Sequence, residues 1–208
     1  PHNKKNISFY KLYQNGTTQN TIDLNGKSLS TYTHILNALS QYSVKGDALI
    51  LGFGGGIVPK ELIKTKFNVD VVEINPATLK IAEIFFKYEK KNTNFFFEDA
   101  RTFVKKCTKK YDLIVVDLFF EDGAPEHLTT FEFYQNLKNC LNEKGIVVSN
   151  AIADFSNNLT ISTILSTFNA VFKNIYYFYD DIHIKKSNLM VSNLYILASN
   201  QSKFKQTN

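Results

Sequence analysis

An apolar strand that breaks into glycines, followed by a second strand that ends in an acid, decides the fold of this chain. The two stretches read Ala48-Leu49-Ile50-Leu51-Gly52-Phe53-Gly54-Gly55-Gly56 and Val69-Asp70-Val71-Val72-Glu73. Glycines after a strand let the backbone turn tightly and let a ligand approach without a Cβ in the way. A carboxylate about twenty residues later can accept hydrogen bonds from ribose hydroxyls. The pattern predicts a nucleoside pocket with Gly52, Gly54, Gly56 and Glu73 among its residues.

The glycines have two other interpretations. One is a Gly-rich turn between a strand and a helix that binds no ligand. The carboxylate of Glu73 argues against this interpretation. A P-loop is excluded because no Gly-Lys-Ser/Thr sequence follows the glycines; Lys60 comes after Val58-Pro59.

Strand-like and helix-like segments alternate after residue 47, which predicts a mostly parallel sheet covered on both faces. The strands are expected at 48–52, 69–73, 93–98, 111–117 and 145–150, and the helices at 57–66, 76–88, 100–107 and 130–141. A helix near 158–170 and strands at 174–179 and 190–199 would complete a seven-stranded sheet, the last two strands as an antiparallel hairpin. Asn75-Pro76 and the pair Thr129 and Glu132 are expected to cap helices.

The first part of the chain has a different pattern. Residues 7–33 are polar and β-branched, with Asn-Gly pairs at 15–16 and 25–26, which predicts short strands joined by turns. Apolar residues at helical spacing predict a helix over 34–42. We therefore expect a β extension with a linking helix over 1–44 and a catalytic domain over 45–208.

Composition limits the classes of partner. The chain has 208 residues and a net charge of +5, from lysines spread over 60–66, 87–91 and 105–110 rather than from one dense strip, so no nucleic-acid partner is expected. Cys107 and Cys140 are too few and too far apart in sequence to predict a disulfide framework or a metal site. No leader-like apolar segment opens the sequence and no run approaches the roughly 18 residues of a membrane helix, which predicts a cytoplasmic protein.

Acids follow several of the predicted strands: Glu73, Asp99, Asp117 and the pair Glu121-Asp122. Because ligands of open α/β sheets bind at the carboxyl edge, these side chains are expected to converge. Asp99 has an alternative role, since an Asp before a helix is a common N-cap.

These stretches, in order, resemble the spermidine synthase (polyamine aminopropyltransferase) family of the class I S-adenosylmethionine-dependent methyltransferase-like superfamily. The resemblance covers roughly 45–150 and includes Glu98-Asp99-Ala100-Arg101, Tyr111-Asp112-Leu113-Ile114-Val115-Val116-Asp117 and Gly123-Ala124-Pro125-Glu126-His127-Leu128. Its first half is common to methyltransferases, whereas the Gly-Ala-Pro stretch favours the synthases. It implies a Rossmann-like class I methyltransferase fold and a possible homodimer.

The resemblance also implies roles for individual residues. Glu73, with Ile74 beside it, would hold the ribose of decarboxylated S-adenosylmethionine or S-adenosylmethionine. Asp99 and the Ala100 amide would contact the adenine, and Asp117 would be the catalytic carboxylate that faces the reacting amine and accepts its proton. Residues 118–128 would form a lid, with Phe120, Glu121, Asp122 and Pro125 near the substrate. His127 is interpreted as an exposed loop residue rather than a proton shuttle.

The sequence departs from the family where the amine would bind. The family's second Asp, three positions after the strand-end Asp, is Phe120 here, and Glu121 and Asp122 lie beyond it. The N-terminal segment lacks the family's acidic pair. The later part of the chain lacks the family's Tyr-Pro stretch. Three functions therefore stay open: aminopropyl transfer to an amine, methyl transfer from S-adenosylmethionine, and a non-catalytic domain that keeps the fold.

Overall fold

A computed structural model describes residues 8–14, 17–118, 125–156, 158–180, 184–186 and 189–201. Ten strands and six α-helices occur in these ranges. In chain order they are β1 (Phe9–Gln14), β2 (Thr17–Asp23), α1 (Thr31–Ser40), β3 (Asp47–Leu51), α2 (Ile57–Lys64), β4 (Asn68–Val72), α3 (Ala77–Phe85), β5 (Thr93–Phe96), α4 (Ala100–Lys106), β6 (Tyr111–Val116), α5 (Phe131–Cys140), β7 (Leu141–Asp154), α6 (Asn158–Val171), β8 (Asn174–Tyr179), β9 (Ile184–Lys186) and β10 (Leu189–Ser199).

The main sheet has the order β5-β4-β3-β6-β7-β10-β8. Its first five strands are parallel, and β10 pairs antiparallel with both β7 and β8. The expected α/β fold with a mostly parallel seven-stranded sheet and a C-terminal antiparallel hairpin is confirmed. One short strand was not expected: β9 lies in the link between β8 and β10 and also pairs with β10.

Several predicted boundaries were wrong for identifiable reasons. Strand β7 runs from 141 to 154 instead of 145–150, because residues 146–154 pair with β10 and Leu141 pairs with Tyr111 of β6. Helix α1 begins at Thr31, three residues earlier than expected. The N-cap of α5 is Thr130 rather than Thr129, since its hydroxyl accepts the Phe133 amide at 3.3 Å. Asn75 does cap α3, with its side-chain oxygen 3.0 Å from the Ala77 nitrogen.

Two cores lie on the two faces of the sheet. Alternation along each strand sends Ile50 and Val115 to one face and Leu51 and Val116 to the other. Helices α1, α2 and α3 contribute to the first core, and α4, α5 and α6 to the second. Among the described residues no helix is long and apolar enough to span a membrane.

The hairpin of β1 and β2 forms a separate two-stranded sheet. Its Leu12 and Ile22 side chains are buried and belong to the same core as Leu36 of α1 and Ile50 of β3. The hairpin therefore packs on the main sheet through shared apolar side chains. The expected domain division at residue 45 stays a prediction.

Candidate active site

A cavity of about 160 Å³ opens at the carboxyl edge of β3, β4, β5 and β6. Eight of the predicted site residues line it: Gly52, Gly54, Glu73, Ile74, Asp99, Ala100, Asp117 and Pro125. The sheet therefore gathers side chains that lie far apart in the sequence. Gly56 is not part of the lining. Phe120, Glu121 and Asp122, predicted to lie near the substrate, fall outside the described residues.

The glycines of the turn are required for different structural reasons. Gly52 has φ +90°, and a Cβ there would lie 2.1 Å from the Asp117 carbonyl oxygen. Gly54 has φ +53°, and its Cβ would lie 2.7 Å from Asn20 Oδ1. At Gly56 a Cβ would instead collide with the rings of Tyr88 and Phe53. Gly52 and Gly54 therefore shape the cavity wall, whereas Gly56 is required for packing at the start of α2.

Backbone amides hold the carboxylate of Glu73 in place. One oxygen, Oε2, accepts the Phe53 amide at 3.0 Å, and the other, Oε1, accepts the Asn75 amide at 2.8 Å. Hydrogen bonds from backbone N–H to an ionised carboxylate are among the stronger ones in proteins. The acid at the end of β4 is thus fixed against the glycine turn, with acceptor capacity left on both oxygens.

Asp99 caps α4, as its alternative role predicted, and also lines the cavity. Its Oδ1 caps α4 by accepting the Thr102 amide at 2.9 Å and the Thr102 hydroxyl at 3.1 Å. Its Oδ2 lies 3.3 Å from Nε2 of His127. Burial opposes ionisation, but the hydrogen bonds from Thr102 and His127 outweigh it and lower the pKa of Asp99. Asp99 is therefore both a helix cap and a charged wall of the cavity.

Asp117, directly after β6, is held by side chains. Its Oδ1 accepts Nδ2 of Asn150 at 3.0 Å, and the Tyr32 side chain lies near the carboxylate. Burial raises the pKa of Asp117 to about 6, although Asn150 and Tyr32 both lower it. A carboxylate with such a pKa can exchange a proton near neutral pH.

Sequence reasoning missed the residues that reach this site from the N-terminal segment. Tyr32 donates to the Gln19 carbonyl at 2.9 Å and accepts from Asn20 at 2.5 Å, and Asn20 Oδ1 accepts the Gly55 amide. Gln19 lines the cavity, and its Nε2 is buried with no hydrogen-bond partner among the described residues. No spacing signal could connect these residues to Asp117, which lies far along the chain.

Asn150 and His127 were missed for other reasons. Asn150 ends the apolar run of β7 in the way that Asp117 ends β6, so a strand-end signal existed in the sequence. The prediction of His127 as exposed is consistent with a side chain that is 52% accessible, yet the same residue lines the cavity. Arg101 ties this segment to α4, since its guanidinium donates to the His127 carbonyl and, at 2.9 Å, to the Thr130 hydroxyl.

Within the described ranges, no group of three His, Cys, Asp or Glu side chains is close enough to hold a metal ion. The groups available at the cavity are therefore carboxylates, one imidazole, an unpaired amide and backbone donors. Carboxylates fixed at one end can accept hydrogen bonds from hydroxyl and amino groups, and Asp117 at the other end can accept a proton.

Solved structures support the fold. A probable spermidine synthase from Corynebacterium glutamicum ATCC 13032 superimposes with a TM-score of 0.81, covering 100% of this chain and 78% of that one at 17% sequence identity. Identity at this level establishes similarity of fold alone.

Sequence comparison gives relatives with higher identity. The polyamine aminopropyltransferase of Vibrio vulnificus is 36% identical over 62% of this chain and 44% of its own length. Polyamine aminopropyltransferase 2 of Aquifex aeolicus is 33% identical over 76% of this chain and 34% of its own. The chain thus spans less than half of these two relatives. The spermine/spermidine synthase domain model matches residues 30–206, and the chain belongs to that family.

Proposed function

We propose that the chain transfers an aminopropyl group from decarboxylated S-adenosylmethionine to an amine. The observation that carries the proposal is the Asp117 carboxylate, which lies beside the nucleoside cavity with a pKa raised to about 6. The family and the relatives named polyamine aminopropyltransferase support the same activity. Because the chain spans only part of those relatives, the activity stays a proposal.

The lining of the cavity supports a nucleoside as its ligand. Its walls combine apolar side chains such as Ile74 and Leu128 with fixed acceptors on Glu73 and Asp99. In this proposal Glu73 accepts the ribose hydroxyls, and Asp99 with the Ala100 amide contacts the adenine. The unpaired Nε2 of Gln19 offers a further donor at the same wall.

The sulfonium of the bound donor supplies an electrophilic methylene and a neutral thioether leaving group. An amine attacks this carbon only in its neutral form, so a proton must leave the nitrogen before or during formation of the C–N bond. Asp117 accepts that proton, because its carboxylate is ionised above pH 6 and the hydrogen bond from Asn150 orients it. Pro125, His127 and Leu128 line the same cavity as Asp117.

Product identification tests the proposal. The protein is incubated with decarboxylated S-adenosylmethionine and a panel of mono- and diamines, and mass spectrometry follows methylthioadenosine and the aminopropylated amine. We expect both products in equal amounts. Formation of S-adenosylhomocysteine from S-adenosylmethionine instead would assign methyl transfer, and binding of neither donor would assign a non-catalytic domain.

A further inference from the structure

A second cavity, of about 300 Å³, lies between the turn that follows β2 and the helices α1 and α2. No described residue lines both this cavity and the one at the carboxyl edge of the sheet. Its size is at the lower end of the range for small-molecule sites. Apart from Ile57, its lining consists of polar residues and one glycine: Asn25, Gly26, Lys27, Ser28, Thr33, His34, Asn37, Lys60, Glu61 and Lys64. Such a lining suits a polar ligand.

Hydrogen bonds fix the turn that forms one wall of this cavity. The Asp23 amide donates to the Lys27 carbonyl at 2.9 Å, and the Gly26 amide donates to the Asp23 carbonyl at 3.0 Å. Oδ1 of Asp23 also accepts the amides of Asn25 and Lys27, at 2.9 and 2.8 Å. The Asp23 carboxylate is thus engaged with the backbone of the turn and does not line the cavity. The backbone of Lys27 is therefore held in place without a ligand.

The hydroxyl groups of the lining are neutral and already have partners. Ser28 and Thr33 are buried, and their hydroxyls hydrogen-bond to each other at 2.7 Å. Thr33 also donates to the Ser30 carbonyl at 2.8 Å. Nε2 of His34 lies 3.1 Å from the Ser28 carbonyl, and because a carbonyl oxygen only accepts, this nitrogen carries a proton. The charge of a ligand must therefore be matched by the lysines.

The charges around the cavity are unbalanced. Among the described lining residues, Lys27, Lys60 and Lys64 face a single carboxylate, Glu61. Nζ of Lys64 pairs with Oε1 of Glu61 at 2.6 Å. The ammonium groups of Lys27 and Lys60 form no ion pair with any acid that the structure describes. Two positive charges are therefore left without a carboxylate partner at one cavity.

Lys60 lies close to the turn that carries Lys27. It is half-buried, and a Cβ built on Gly26 would lie 3.5 Å from its Nζ atom and 3.2 Å from Cδ of Lys87. The Lys87 ammonium donates to the Leu24 carbonyl in the same turn, which adds a further positive charge beside the cavity. Like charges held close together repel one another, and an anion bound between them would relieve this repulsion.

We propose that this cavity binds a small anion with phosphate-type groups. A lysine ammonium is a compact point charge that commonly binds phosphate oxygens, and two unmatched ammonium groups suit an anion with at least two negative charges. The lysines surround a cavity instead of forming a long strip, which favours a free phosphate compound over a polynucleotide or a membrane surface. The site is separate from the nucleoside cavity, so it does not depend on the proposed function.

Calorimetric titration with pyrophosphate, at low salt and without divalent cations, tests the proposal. Wild type should bind one pyrophosphate per chain, with an affinity that falls as salt is added. Lys60→Gln and Lys27→Gln should each weaken binding about 10- to 100-fold, the range for one charge-assisted hydrogen bond. The control is Lys80→Gln, at an exposed lysine of α3 that does not line the cavity. It alters the net charge equally and should change the affinity less than about twofold.

Glu61→Gln provides a test that a folding defect cannot imitate. This change removes the lining carboxylate and frees Lys64 from its ion pair, so pyrophosphate should bind about threefold or more tightly than to wild type. Glu83→Gln, at an exposed carboxylate of α3, is the matched control and should leave the affinity unchanged.

Four outcomes would overturn the proposal. They are no saturable binding of pyrophosphate to wild type, equal losses of affinity in Lys60→Gln and Lys80→Gln, and binding to Glu61→Gln that is no tighter than to wild type. The fourth concerns membranes: sedimentation of the protein with phosphatidic acid vesicles that pyrophosphate does not reverse would assign the lysines to a lipid surface. Aminopropyl transfer enters none of these measurements, so their failure would leave the proposed function intact.

Discussion

The carboxyl edge of this sheet holds its acids in two different ways. Over β4 and β5, Glu73 accepts the backbone amides of Phe53 and Asn75, and Asp99 accepts that of Thr102. Over β6 to β8, Asp117 and Asp180 accept side-chain donors of adjacent strands, from Asn150 of β7 and from Asn193 and Tyr195 of β10. The first half therefore relies mainly on backbone donors, and the second half on side chains that strand pairing brings together.

The two arrangements have different electrostatic consequences. Hydrogen bonds from Thr102 and His127 outweigh the burial of Asp99 and lower its pKa, whereas burial dominates at Asp117 and raises its pKa to about 6. Asp99 stays an anion at physiological pH, which suits a residue that binds a ligand without a change of its own protonation. Asp117 changes protonation near neutral pH and suits proton transfer. Three substitutions, at Asp117, Glu73 and Tyr32, test the contrast, and the largest effect is expected at Asp117.

Asp117→Asn should abolish most of the turnover. Removing a positioned base costs typically 10²- to 10⁴-fold in rate, so kcat should fall by about that factor. Because this variant keeps the carboxylates of Glu73 and Asp99, its methylthioadenosine affinity should stay within about tenfold of wild type. Steady-state kinetics and calorimetry measure the two quantities. Unchanged turnover would remove Asp117 from the mechanism.

The same substitution should change how stability depends on pH. The pKa of Asp117 rises from its ordinary value near 3.8 to about 6 in the folded protein, so the folded state retains a proton that the unfolded state loses. Its contribution to the free energy of unfolding therefore falls as pH rises from about 4 to about 6, by about 2–3 kcal/mol. In urea unfolding, the stability of Asp117→Asn relative to wild type should therefore increase by that amount as the pH rises from about 4 to about 7.5. A stability difference that does not vary with pH would contradict the burial of this carboxylate.

Glu73→Ala should weaken nucleoside binding. It removes a charged acceptor and leaves the Phe53 and Asn75 amides without their partner, which should cost about 1–3 kcal/mol of methylthioadenosine affinity. The control is Glu83→Ala, an exposed carboxylate on α3. Equal affinities of both variants would refute the ribose contact.

Tyr32→Phe should produce the smallest change. The Tyr32 hydroxyl lowers the pKa of Asp117, so its removal should shift the midpoint of the pH–kcat profile upward, by less than about one unit. Turnover well above that midpoint should stay within about tenfold of wild type. A downward shift of the midpoint would show that the hydroxyl does not stabilise the carboxylate.

The sequence predicts the glycine turn and Glu73 better than it predicts the surroundings of Asp117. The glycine turn and Glu73 are neighbours across a single βαβ unit, so strand pattern and spacing are enough to place them. Asp117 follows from its position after an apolar strand. The partners of Asp117 cannot be found in this way, because Tyr32 comes near it only through packing of α1 on the sheet, and Asn150 only through pairing of β7 with β6.

The fold shows the same division. Alternating apolar segments predict the parallel strands β3 to β6 within one or two residues. The length of β7 and the presence of β9 depend on pairing with β10, a long-range interaction that no local pattern reports. The cap of α5 was misplaced by one residue, because two adjacent threonines, Thr129 and Thr130, offer equivalent hydroxyls.

A calorimetric titration with two donors tests the central claim most directly. S-Adenosylmethionine carries a carboxylate that its decarboxylated form lacks, and the second half of the edge presents Asp117 and Asp180, which form no ion pair with any residue that the structure describes. Like charges repel, so this site should bind decarboxylated S-adenosylmethionine more tightly, by at least about tenfold at low salt. Tighter binding of S-adenosylmethionine would contradict aminopropyl transfer and favour methyl transfer in the same cavity.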